Sequence, residues 1–399
     1  MEGKMFIRTL RLQNLLSYGS KFSEEPIELQ PLNVLIGSNA SGKSNLIEAI
    51  GLLKATPIDL TAPIRRGGGI SDFLWRGERG ITTAKIEAIV DYPGGHKPLR
   101  YEISITVANQ RIELVDEAVK EAEPRYESEE NPYLFYQYNQ GRPVLNVINE
   151  SDRQRRLRHL RREDIIPDQS ILSQRKDPDQ YPELSYLGNK FSDIGLYRNW
   201  QTGRDSEPRK AQQADFPEHP LLEDGSNLGL VLNNLQYQLG SRQIIEKLKK
   251  FYDAAEELSI KIYGGTVQIF IREEGLIQPI PATRLSDGTL RYLFLMALLL
   301  DPTPPPLLCI EEPEIGLHPD ILPTIAEMLI EASQRTQLIV TTHSDALVSA
   351  LTPESVFVCE RDDRGSHLRR LEPERLKKWL ENYTLGDLWR MGEIGGNRW

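Results

Sequence analysis

Val34-Leu35-Ile36 runs into Gly37-Ser38-Asn39-Ala40-Ser41-Gly42-Lys43-Ser44, and Asn45 to Leu53 then carries apolar residues at helical spacing (Leu46, Ile47, Ile50, Leu53). Strand, glycine loop and helix in that order make a polyphosphate cradle, because the loop's backbone N–H groups and the helix N-terminus converge on one anion. Glycine lets the backbone come close, Lys43 brings charge to the outer phosphates, and the Ser44 hydroxyl suits Mg²⁺. The expected nucleotide-binding residues are therefore Gly37, Ser38, Asn39, Ala40, Ser41, Gly42, Lys43, Ser44 and Asn45.

Three later segments bear on the same chemistry. Leu307-Leu308-Cys309-Ile310 is a short apolar run ending in Glu311-Glu312-Pro313-Glu314. Carboxylates at the end of a buried strand are the acceptors a phosphate site needs, so Glu311 is assigned to the metal and Glu312 to polarising the attacking water. Ser286 and Gly288 open a strongly apolar helix (Leu290 to Leu300), where they form either an anion site or simply a helix cap. His343 follows the run Leu338-Ile339-Val340-Thr341-Thr342 and is a catalytic candidate, although a lone histidine at a strand end is more often structural.

At 399 residues, the chain exceeds what one core usually supports, so two lobes are expected. Period-two alternation predicts strands at Phe6 to Leu12, Ile86 to Val90 and Tyr101 to Val107, the last two joined as a hairpin by Tyr92-Pro93-Gly94-Gly95. The acidic and arginine-rich stretch sets off residues 116–220 as a lid-like insertion between an N-terminal part (1–115) and a C-terminal part (221–399). Runs at Leu307 to Ile310, Leu338 to Thr341 and Val356 to Cys359 read as buried parallel strands. Two cysteines and no apolar leader point to a reducing, cytoplasmic setting, and no run of about 18 apolar residues predicts a membrane span. With 48 basic and 58 acidic residues the net charge is −10, so any nucleic-acid contact must use a local basic patch.

In order, the glycine loop, Leu285-Ser286-Asp287-Gly288-Thr289, Ile310-Glu311-Glu312-Pro313-Glu314 and Thr341-Thr342-His343-Ser344 resemble the motifs of the soluble ABC-type ATPases of the RecF, SMC and OLD kind, in particular OLD-like ATPases without a nuclease domain. The resemblance extends to Leu10 to Gly19, Asp224 to Leu228, Glu314 to Pro319 and Leu385 to Trp389. It implies an α/β P-loop NTPase that uses ATP and Mg²⁺ as a head-to-tail homodimer, with Ser286 and Gly288 of one copy closing over the loop of the other. It also implies that His343 meets the γ-phosphate, that Gln174 is a candidate glutamine ligand of the metal, and that a separately encoded nuclease acts as effector. Asp287-Gly288-Thr289 stands where transporter cassettes carry Gly-Gly-Gln, and the long, proline-containing interval between motifs has no sustained heptads. Transport and an SMC-type coiled-coil arm are both disfavoured.

Within Asp152 to Arg162, the ten residues from Arg153 to Arg162 hold six arginines. On a helix they would cover most faces, and Arg155, Arg156, Arg158 and Arg161 are candidates to grip DNA phosphates, with a solvated, internally compensated face as the equal alternative. Tyr133 to Tyr138 is expected to pack rather than to stack on bases. Two roles remain open: an ATP-driven motor or sensor on DNA in repair or anti-phage defence, or a slowly hydrolysing switch that signals to a protein partner.

Overall fold

The computed structural model describes residues 3–20, 26–108, 111–139, 142–148, 154–198 and 203–396. In chain order the strands are β1 (Ile7–Gln13), β2 (Ile27–Glu28), β3 (Leu32–Ile36), β4 (Thr83–Val90), β5 (Leu99–Ala108), β6 (Arg111–Glu121), β7 (Leu134–Asn139), β8 (Arg142–Ile148) and β9 (Arg155–His159). They continue with β10 (Gly195–Tyr197), β11 (Gln212–Gln213), β12 (Ala255–Tyr263), β13 (Thr266–Glu273), β14 (Ile280–Pro281), β15 (Leu307–Glu311), β16 (Gln337–Thr341), β17 (Val356–Asp362) and β18 (Gly365–Arg370). Among the described residues these form three sheets. One is antiparallel in the order β2-β1-β4-β5-β6-β7-β8-β9, the second runs β10-β15-β16-β3-β17-β18, and the third joins β11, β13, β12 and β14.

The second sheet carries the site. Its strands β10, β15, β16, β3 and β17 are parallel, and only β18 returns antiparallel. Both faces are covered, so its strands are continuous apolar runs rather than alternating ones. Leu35, Leu307, Cys309, Ile339, Phe357 and Cys359 face a core shared with the antiparallel sheet and the helices Lys43–Ala55 and Pro182–Ser192. Val34, Ile36, Leu308, Ile310, Val340 and Val358 face a second core, shared with the third sheet and the helices Leu228–Leu239, Asp287–Leu299 and Leu322–Ser333. The helix Asp287–Leu299 is buried throughout from Thr289 to Leu299, which explains its unbroken apolar run. The two cores lie back to back on one sheet, and the first draws residues from all three expected parts of the chain.

A buried glutamine fastens the antiparallel sheet to the parallel one. Gln337 Oε1 accepts from the N–H groups of Phe6 (3.3 Å) and Ile7 (2.9 Å), and its Nε2 donates to the carbonyls of Ile7 (2.8 Å) and Gln30 (3.1 Å). With donors and acceptors both satisfied, a polar side chain at zero exposure fixes where β1 meets β16.

The predicted β4–β5 hairpin forms, with Ala88 opposite Tyr101. The boundary expected at 115/116 falls inside β6, and β6 to β9 extend the sheet begun by β1, β4 and β5, while β10 joins the parallel sheet. The acidic residues that suggested a solvated insertion are partly interior: Glu117 and Glu121 are buried, the first bonded to Tyr101 Oη (2.8 Å) and the second to Arg125 Nε (2.8 Å). Arg155, Arg156 and Arg158 of the arginine run lie not on a helix but on the edge strand β9, antiparallel to β8. An extended backbone sends neighbouring charges to opposite faces, whereas a helix would crowd them at three- and four-residue spacing. Asp152 and Arg153 lie outside the described residues. Phe135, Tyr136 and Tyr138 pack in the first core, as expected of that aromatic cluster. Among the described residues no helix is long and apolar enough to cross a membrane.

Candidate functional site

Because β3, β15 and β16 are parallel neighbours, the segments after them emerge at one edge of the sheet, where ligands of open α/β sheets bind. Backbone hydrogen bonds carry the register past the strand ends. Thr342 N–H donates to Leu35 O (3.1 Å) and Glu312 N–H to Thr341 O (2.9 Å), so the glycine loop, the carboxylate pair and His343 come from adjoining positions.

Gly37, Ser41, Gly42 and Lys43 are buried, Ser38 and Asn45 half-buried, and Asn39, Ala40 and Ser44 exposed. Gly42 has φ 109°, and a Cβ there would lie 2.3 Å from Ser366 Oγ, so glycine is required on both counts. Tyr18 Oη donates to Gly42 O (3.1 Å) and Ser366 Oγ to Ser17 Oγ (2.7 Å), which bring the Leu10 to Gly19 motif and β18 beneath the loop. Lys43 Nζ donates to the carbonyls of Gly37 (2.8 Å) and Ser38 (2.9 Å) across the loop. Burial lowers its pKa, opposed by the nearby Glu312 carboxylate.

Burial raises the Glu311 pKa, and hydrogen bonds from Arg198 and from the Ser44 hydroxyl oppose the rise. Ser44 and Glu311, expected to share a metal, therefore already touch. Arg198 Nε lies 3.3 Å from Glu311 Oε1 and was not foreseen, since a single arginine after β10 carries no sequence signal. Glu312 adopts φ 48°, an uncommon conformation for a residue with a Cβ, and its Oε1 sits 3.5 Å from His343 Nε2. Arg291 holds that conformation by donating to Glu312 O (2.7 Å). Glu314 accepts from Thr342 Oγ1 (2.8 Å) and from His343 N–H (2.7 Å) through one oxygen, and burial raises its pKa. Its place after Glu311-Glu312-Pro313 was the only hint of this role. Gly386 lets the helix Leu385–Met391 close on Asp345 O, where a Cβ would come within 2.2 Å, so the Leu385 to Trp389 motif braces the turn after His343.

The remaining candidates lie elsewhere. Ser286 caps the helix Asp287–Leu299, accepting from Thr289 N–H (3.0 Å), and a Cβ on Gly288 would come within 2.9 Å of Gly316 O. Arg209 engages Asp287, lowering its pKa. The Gln174 side chain is spent on its own loop, donating to Gln169 O (2.8 Å) and accepting from Ile166 N–H (2.9 Å), rather than on Ser44 or Glu311. Arg155 turns inward to Glu183 (3.2 Å from Nη1 to Oε2) and Phe135, while Arg156, Arg158 and Arg161 are exposed.

Residues 32–349 match the family described as "AAA domain, putative AbiEii toxin, Type IV TA system". A stretch of 105 residues is 35% identical to the DNA replication and repair protein RecF of Limosilactobacillus fermentum (strain NBRC 3956 / LMG 18251), spanning 26% of this chain and 25% of that relative. In fold, the chain is similar to the crystal structure of an Smc head bound to the C-winged helix domain of ScpA (TM-score 0.56, 16% identity, 93% of this chain and 99% of that one). It is also similar to an Smc head with an extended coiled coil bound to the C-terminal domain of ScpA, derived from Pyrococcus furiosus (TM-score 0.51, 16% identity, 94% and 98%). With four-fifths of its length matched by that family model, the chain belongs to this AAA family, and its fold is similar to that of the Smc heads.

Proposed function

We propose that the chain binds ATP with Mg²⁺ and hydrolyses it to ADP and phosphate between two copies arranged head to tail. The observation that carries this reading is the convergence of Lys43, the Ser44–Glu311 contact and the Glu312–His343 pair on one edge of the sheet. Phosphate oxygens arriving in the loop replace the Gly37 and Ser38 carbonyls as partners of Lys43. Ser44 and Glu311 would be the oxygen donors that hold Mg²⁺ beside the nucleotide phosphates, where the ion would supply positive charge. Glu312 orients the attacking water and accepts its proton as the bond to the γ-phosphorus forms and the bond from that phosphorus to the bridging oxygen breaks, ADP leaving with that oxygen, while His343 holds the γ-phosphoryl oxygens. Ser286 and Gly288 of the second copy close the other side of the nucleotide, where a helix N-terminus stabilises the anion.

Sedimentation of Glu312→Gln with ATP tests this assembly. The expected result is a shift from one copy to two on adding ATP, lost when Ser286→Arg is added, whereas a mass indifferent to both overturns the sandwich. For the biological role we propose a DNA-linked motor or sensor, in repair or anti-phage defence, working with a separate effector. Exposed Arg156 and Arg158 on an edge strand, with exposed Arg161 just beyond it, support it, as does the RecF likeness. A several-fold rise in ATP turnover with duplex or single-stranded DNA is expected; no change favours the slow switch that signals to a protein partner.

A further inference from the structure

At the end of the parallel sheet away from the glycine loop, a cavity of about 790 Å³ opens between the residues leading into β1, the β4–β5 turn and the helix Pro182–Ser192. Pro306, which lines it, immediately precedes β15, while Glu311 ends that strand. Five residues at about 3.3 Å each set the cavity roughly 16 Å from the carboxylates, so it is a second site.

Its walls combine two chemistries. Lys4, Arg8, Lys97 and Lys190 line it against a single carboxylate, Asp91, in a chain whose net charge is −10. Arg8 is paired with Asp91, and Lys97 with Glu123 (3.0 Å) outside the cavity. Among the described residues Lys4 and Lys190 have no ion-pair partner. The other wall is aromatic: the Tyr92 and Tyr186 rings are 4.9 Å apart and tilted by 59°, and Tyr186 Oη is anchored on Asp91 O (2.8 Å). The turn folds tightly against Tyr92, since a Cβ on Gly95 would fall 2.5 Å from that ring. A positive field in an acidic protein concentrates anions locally, fixed aromatic faces stack on planar groups, and the volume is that of a small-molecule site.

We propose that this cavity binds a nucleotide unit, an aromatic base joined to a phosphate, at a place separate from the glycine loop. The base lies against the Tyr186 ring, which Tyr92 backs, and the phosphate meets Lys4 and Lys190. A free nucleotide and the end of a nucleic-acid strand present the same unit, and the test separates them. Full-length protein with its loop saturated by a non-hydrolysable ATP analogue is titrated calorimetrically with adenosine monophosphate. In parallel, a fluorescein-labelled, 5′-phosphorylated hexathymidylate is followed by anisotropy. One equivalent of at least one probe is expected to bind. Lys4→Glu with Lys190→Glu should weaken it at least about tenfold while ATP turnover is unchanged, as expected for two charge-assisted phosphate contacts. Tyr186→Leu, with both lysines intact, should weaken it several-fold. Binding of the monophosphate identifies a free nucleotide as ligand, and binding of the hexamer alone identifies a strand end. Absence of saturable binding of either probe, or binding indifferent to Lys4 and Lys190, overturns the proposal.

Discussion

On the proposed mechanism, Glu314 controls turnover by positioning His343. Replacing it with alanine removes the acceptor that holds Thr342 Oγ1 at 2.8 Å and His343 N–H at 2.7 Å. Each hydrogen bond to a charged group contributes about 1.5–3 kcal/mol, so the 342–343 turn loses about 3 kcal/mol of restraint even at the low end. His343 Nε2 then leaves its position 3.5 Å from Glu312 Oε1. A displacement of about 1 Å in a catalytic arrangement costs about 10²-fold in rate, equivalent to about 2.7 kcal/mol, which matches the lost restraint. Glu314→Ala is therefore expected to lower kcat about 100-fold while KM for ATP stays within about threefold, because Lys43 and its loop are untouched. Glu314→Gln keeps an oxygen able to accept both bonds and should stay within about tenfold of the parent rate. Phosphate release over an ATP series gives both constants, and urea denaturation of each variant separates lost turnover from unfolding. An alanine variant with unchanged kcat, or with only a raised KM, would be incompatible with Glu314 positioning His343.

Two further outcomes concern stability. Gly42→Ala should destabilise by about 3 kcal/mol, combining left-handed strain with the clash against Ser366, and adding Ser366→Gly should restore part of the urea midpoint by removing the nearest atoms. Glu117 is buried among Tyr101, Ser170 and Ile171 N–H, and its pKa is raised from the usual 4.5 to about 7, chiefly by burial. The folded state then holds a proton that the unfolded chain has released. The stabilisation is full below pH 4.5 and is lost as the pH rises to about 7, a difference of about 3 kcal/mol. Glu117→Gln should flatten that part of the urea stability profile, and an unchanged profile would mean that Glu117 is ionised in the folded state.

The nucleotide loop was legible because strand, glycine, lysine and helix are contiguous, and the parallel strands because coverage on both faces leaves them apolar throughout. The Glu312–His343 pairing could be expected only from motif order, since it depends on β16 lying between β15 and β3. Glu117 and the arginine run misled for one reason. Composition reports charge, whereas burial and pairing are set by neighbours distant in sequence: Glu117 is buried against Tyr101 and Ser170, and Arg155 folds back on Glu183. Arg198 and Arg291 were silent because each acts through a contact more than 20 residues away.

The most direct measurement is ATP binding and phosphate release for three chains side by side: the parent, Lys43→Ala and Glu312→Gln. Lys43→Ala should lose nucleotide binding, since the charge at the loop is gone. Glu312→Gln should bind ATP as the parent does while releasing phosphate about 10²- to 10⁴-fold more slowly, the usual loss when a positioned base is removed. Near-parental hydrolysis by Glu312→Gln, or full ATP binding by Lys43→Ala, would contradict a site built from the glycine loop and the carboxylate that ends the β15 edge.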